Sequence, residues 1–177
     1  MRGIVKGGLN DGGSNIKSIQ RGMYNVTDTT TTIDISIANV DLTKSVPTIS
    51  FDASYGNQMA DLWKCELTSS TNLRITRIGL IATNIFVSWE VIEYNNVKSL
   101  QSGLCAANAY PFSVSISNID TSKSKLFYSF TNSYNNSDTE QYCFVSGFIK
   151  NSTLIEFRGY MANINQYNIQ WYVIEFN

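Results

Sequence analysis

Trp89-Glu90-Val91-Ile92-Glu93-Tyr94-Asn95 returns about 80 residues later as Trp171-Tyr172-Val173-Ile174-Glu175-Phe176-Asn177. Both stretches alternate. Ile85, Val87, Trp89 and Val91 fall on one side of the first, and Ile169, Trp171 and Val173 on one side of the second. Alternation with a period of two reads as a β-strand with one face in a core. Recurrence at this spacing reads as a duplicated domain.

Three further matches keep the same order. Lys17-Ser18-Ile19-Gln20-Arg21-Gly22 recurs as Lys98-Ser99-Leu100-Gln101-Ser102-Gly103. The Asn-x-Asp-x-x-Lys-Ser run from Asn39 to Ser45 recurs from Asn118 to Ser124, and Ser70-Thr71 recurs as Ser152-Thr153. Ile33, Ile35 and Ile37 alternate with polar neighbours, as do Phe112, Val114 and Ile116. Leu73 with Ile75, and Leu154 to Phe157, mark further strands. No segment has a capped helical period. Pro47 and Pro111 stand near strand ends, where a missing N–H is tolerated. The expected fold is all-β: two tandem antiparallel β-sandwich domains related by internal duplication. Repeat 1 is expected at residues 16–95 and repeat 2 at 96–177. Residues 1–15, with Gly7-Gly8 and Gly12-Gly13, read as a Gly-rich N-terminal arm.

Composition narrows the function. Charged residues are 15% of the chain and the net charge is −1, unlike the basic footprint of a nucleic-acid binder. No apolar run is long enough for a membrane-spanning helix. The chain has no His, so Ser–His and Cys–His nucleophile pairs are excluded. Cys65, Cys105 and Cys143 form no C-x-x-C pair, so neither a metal site nor a full disulfide framework is expected. Burial as free thiols is the default, and a Cys105–Cys143 bridge stays open. No phosphate-cradling loop is present, so no cofactor is expected. The expectation is a non-enzyme with no catalytic, cofactor or metal residues.

Several residues invite a sharper reading. Trp89 and Trp171 lie in phase with the apolar side of their strands, so core packing outweighs a sugar-stacking role. Trp63, without a counterpart in repeat 2, is also assigned to core. Asp41 and Asp120 fit turn formation better than acid–base work, because Asp accepts from backbone N–H groups two residues on. Glu93 and Glu175 lack the second carboxyl of a glycosidase and read as strand-end charges. Ile92, Tyr94, Ile174 and Phe176 point away from the tryptophans, giving the last strand of each repeat a second apolar face. A sheet with one solvated face is polar there. That second face is expected to meet the other repeat or another subunit. Tyr55, Tyr134, Tyr160 and Tyr167, with Asn135 and Asn136, are candidate ligand contacts in loops, since sugar sites combine an aromatic face with amide groups.

The opening stretch Ile16 to Gly22, Asp41-Leu42-Thr43-Lys44-Ser45, Leu67-Thr68-Ser69-Ser70-Thr71 and Ser88 to Tyr94 resemble a small domain of bacteriophage tail and other virion structural proteins. Repeat 2 keeps Asp120 to Ser124 and Gln170 to Phe176, with Ser102 where the opening motif has Arg21. A looser resemblance is to H-type lectins, which are six-stranded sandwiches that form trimers and bind sugars. These resemblances imply a virion structural protein of the tail, baseplate, fibre or particle surface, located in the virion after assembly in the bacterial host cytoplasm. The implied partners are further copies of the chain, most economically as a trimer, and other virion proteins held through the N-terminal arm. The alternative is a carbohydrate-binding, receptor-binding adhesin module for host surface glycan. Nucleic acid and membrane insertion are not expected.

Overall fold

Twelve antiparallel strands make up the computed structural model, which describes residues 15–26, 30–51, 62–78, 85–107, 111–132, 145–159 and 167–177. Repeat 1 carries β1 (Ile16–Val26), β2 (Thr32–Ser36), β3 (Ser45–Phe51), β4 (Trp63–Ser69), β5 (Asn72–Arg77) and β6 (Ile85–Tyr94). Repeat 2 carries β7 (Val97–Ala107), β8 (Phe112–Ser115), β9 (Ser124–Asn132), β10 (Val145–Asn151), β11 (Leu154–Gly159) and β12 (Tyr167–Phe176). The strands form four three-stranded sheets, β1-β6-β3 with β2-β5-β4, and β7-β12-β9 with β8-β11-β10. The strand order is therefore the same in both repeats, and the molecule is two tandem antiparallel β-sandwiches related by internal duplication.

Each sandwich closes over the alternating residues of its strands. In repeat 1 the core joins Trp89, Val87 and Val91 of β6 to Leu73 and Ile75 of β5 and to Trp63 and Cys65 of β4. In repeat 2 it joins Trp171, Ile169 and Val173 to Ile155 and Phe157. Both recurring tryptophans thus lie in cores, and so does Trp63, which is 1% exposed.

The conserved spacing within the chain has a steric cause. Gly22 faces Trp89 across the β1–β6 pair, and Gly103 faces Trp171 across β7–β12. A Cβ on Gly22 would lie 2.7 Å from the Trp89 ring, and one on Gly103 2.8 Å from the Trp171 ring. The indole lies over the bare backbone of its neighbour, so each central Trp needs a Gly opposite it.

Candidate functional site: the contact between the repeats

The two ends of each sandwich differ. At one end the chain turns through short polar connections, and here both repeats build the same polar lock. Glu93 and Glu175 share the face of their strands with Trp89 and Trp171, so each carboxylate is directed inward and is nearly fully buried. A buried carboxylate needs donors. Lys17 Nζ reaches Glu93 Oε1 at 2.8 Å, and Lys98 Nζ reaches Glu175 Oε1 at the same distance. The Ser18 and Ser99 hydroxyls donate to the other oxygen at 3.3 and 3.2 Å, and the backbone N–H groups of Asp41 and Asp120 add 3.2 and 2.9 Å contacts. A register shift near Lys17 and Lys98 recurs in both first strands, beside the carboxylate they share with the following Ser. Lys98, the Asp120 N–H and Ser99 hold the Glu175 carboxyl below its ordinary range.

The turns above the lock repeat as well. Asp41 Oδ1 accepts the Thr43 N–H at 2.9 Å, and Asp120 Oδ1 accepts the Ser122 N–H at 2.9 Å. Gln20 donates to Ala38 O and accepts from Ala38 N–H, as Gln101 does with Ser117. The amide of each Gln therefore stands in for a strand partner. Lys17, Gln20 and Glu93 all fell within the recurring motifs, yet their partnership is not visible from spacing. The available signal was phase: Glu93 is two residues past Val91, so alternation directs it inward. A solvated strand-end charge is replaced here by a buried, paired one.

At the opposite end of each sandwich lie the strand ends that flank the longer stretches between strands. Tyr55, Tyr134, Asn135, Asn136 and Tyr160 fall in these and lie outside the described residues, as does Cys143. The flanking strand ends, Phe51, Asn132 and Gly159, sit beside Val87, Tyr167 and Val145 at that same pole. Tyr167 itself is not a loop residue. It is the first residue of β12, is fully buried, and packs 6.0 Å from the Phe130 ring. Its alternation with Ile169 and Trp171 directs it into the core, so it offers no ring face to a ligand.

A third cluster spans the two repeats. Val46, Tyr94, Tyr172 and Ile174 are its buried members, with Ile16, Ile92, Leu100, Phe127 and Phe176 packed around them. The Tyr94 and Phe176 rings meet edge to face at 5.3 Å. Beside this cluster, β4 lays its open edge on the outer face of β7-β12-β9. The Cys65 N–H donates to Ser129 Oγ at 2.9 Å, and the Leu67 N–H reaches Tyr172 Oη at 3.4 Å. Leu62 packs with Phe51 and Phe130 at the margin. An edge strand carries unpaired N–H groups that invite pairing with another chain. Repeat 2 covers this edge with side chains.

The result is asymmetric. The outer-face residues Gln170, Tyr172 and Ile174 of β12 are buried under repeat 1. The matching strand of repeat 1 stays open at its far end, where Phe86 is 41% exposed and Ser88 lies exposed, whereas the first strands of the two repeats are open alike, with Met23 at 49% and its counterpart Leu104 at 57%.

Other charged groups form small clusters. Glu156 is buried between Lys150 and Arg158, which hold its carboxyl below the ordinary range. Cys65 and Cys105 are free thiols, and burial pushes them up to about 12 and about 11. Among the described residues no group of His, Cys, Asp or Glu is arranged to hold a metal ion. Among these residues no helix is long and apolar enough to cross a membrane. No protein-family model, curated protein or solved structure matches the chain.

Proposed function

We propose that this chain is a non-enzymatic structural component of a bacteriophage particle, in the tail, baseplate, fibre or particle surface, and that it acts by assembly. The observation that carries the reading is where its aromatic and apolar side chains go. They fill two cores, then a contact between the repeats, and then an open sheet face bearing Met23 and Phe86. Exposed apolar residues grouped on one sheet face are a feature of association surfaces. The resemblance of the sequence motifs to virion structural domains suggests the particle context. The open β1-β6-β3 face is the assembly surface in this reading, and residues 1–15 attach the chain to neighbouring virion proteins. Mass spectrometry of purified particles, made by a host that expresses the chain with the remaining virion genes, is the test. The reading expects the chain at a fixed copy number per particle. Its absence from washed particles would sink it.

A carbohydrate-binding role is the second reading. It is supported by the way the connections rich in Tyr and Asn leave one pole of each sandwich, and by the six-stranded build of each repeat. Under this reading a glycan array gives a specific signal that Tyr134→Ala removes without changing the melting temperature.

A further inference from the structure

The contact between the repeats is heterologous: repeat 1 gives the β4 edge and the near end of its β1-β6-β3 face, and repeat 2 gives the face of β7-β12-β9. A contact of this kind leaves one edge and part of one face unused on the same molecule, and repetition of it would produce a ring or an open filament. The unused edge is β10, where Gly147 occupies the place of Cys65, because Ile149 faces Ile155 as Leu67 faces Leu73. The unused part of a face is the far end of β1-β6-β3, beyond Val46, Ile92 and Tyr94, which pack in the contact between the repeats. There Ser50 and Glu90 occupy the places of Ser129 and Tyr172.

We infer that Tyr128 and Gly147 form a built-in stop that prevents the edge of one chain from docking on the face of a second copy. Tyr128 Oη accepts the Gly147 N–H at 3.0 Å and donates to Val145 O at 3.0 Å. The N–H that would seek an acceptor on the next molecule is thus satisfied inside its own sandwich. Repeat 1 has Ile49 at this place, which carries no hydroxyl, so the Cys65 N–H finds its acceptor in repeat 2. Gly147 is part of the device. A Cβ there would lie 2.7 Å from the Phe157 ring and 3.0 Å from the Tyr128 ring, so a side chain would displace the tyrosine. The face is altered too. Glu90 replaces the Tyr172 hydroxyl and is held by Arg21 Nε at 3.2 Å. Edge and face therefore both depart from the pair that docks within the chain. Natural sheets block edge-to-edge and edge-to-face growth by such local departures.

The stop closes this one route to open-ended growth, so it deepens the assembly reading without depending on the oligomer number. The test exchanges the departures: Tyr128→Ile and Gly147→Cys restore the repeat 1 edge, and Arg21→Ser and Glu90→Tyr restore the repeat 2 face. Sedimentation velocity under reducing conditions reads the outcome. The wild-type chain gives one species whose size is independent of concentration, and the fourfold variant gives a series growing with concentration. A folded variant that sediments like the wild type overturns the stop. A wild type that is monomeric beside a growing variant contradicts only the assembly reading. Should the fourfold variant not fold, Tyr128→Phe isolates the hydroxyl. Amide exchange at Gly147 then rises roughly fivefold, the equilibrium factor of one net hydrogen bond. An unchanged rate overturns the stop.

Discussion

The Gly–Trp pairs and the buried carboxylates are the smallest units that explain why the repeats share residues. Gly22→Ala and Gly103→Ala each force a methyl group against a packed indole, because the nearest ring atom would be under 3 Å away. Overpacking of this kind costs about 1–3 kcal/mol, read as a lower midpoint in urea. The lock adds a pH signature. The Glu175 carboxyl is held below its ordinary 4.5 by Lys98, the Asp120 N–H and Ser99, and Asp34 is held at about 2 by Arg74 and Asn72. A carboxyl depressed in the folded chain contributes stability that is whole above its ordinary value. That stability drains away as pH falls through the folded value, because the unfolded chain takes up the proton first. Melting temperatures should therefore hold steady down to about pH 5 and fall steadily toward pH 2.5, with a shallower fall for Glu175→Gln. Core assignment of Trp89 and Trp171 was legible in the sequence from phase alone. The inward placement of Glu93 followed from the same phase but conflicted with the habit of charges at strand ends, and only the three-dimensional neighbours Lys17 and Asp41 resolve the conflict.

Strands β4 and β12 show how one topology serves two roles. As the outer edge of its sheet, β4 is covered by Ser129 and Tyr172. The equivalent β10 is covered by Tyr128 of its own repeat. Ser129→Ala removes the acceptor of the Cys65 N–H at a buried backbone and should cost about 1–3 kcal/mol. Its counterpart Ser50 lies exposed on the open face, and Ser50→Ala should shift stability by no more than about 0.5 kcal/mol. Chemical denaturation of the two variants side by side checks the contrast, and equal losses would remove the case for β4 docking. Strand identity was legible here because alternation and turn residues are local. Edge cover was not, because Ser129 and Cys65 are 64 residues apart and neither is marked by its neighbours in sequence. Tyr167 shows the converse error, since its strand begins two residues earlier than the alternation of Ile169 and Trp171 marks.

The whole molecule is a duplicated sandwich whose copies differ at the positions that cover or expose an edge. Tyr172 replaces Glu90, Tyr128 replaces Ile49, and Gly147 replaces Cys65, while the Gly–Trp pairs and the locks stay constant. The constant pairs serve the fold of each repeat, and these three differences alter which edge and which face can pair. Repetition made the fold class legible from the sequence, because matched motifs report the same local demands twice. Function was less legible, since an assembly surface is an ordinary sheet face that lacks a cover. Sedimentation equilibrium of the full chain, across micromolar concentrations, bears most directly on the claim that it works by assembly. The account expects a single finite homo-oligomer, a trimer at three times the 19.8 kDa chain mass, which dissociates when Met23→Ser and Phe86→Ser open the β1-β6-β3 face. A wild-type chain that stays at 19.8 kDa at every concentration would contradict it.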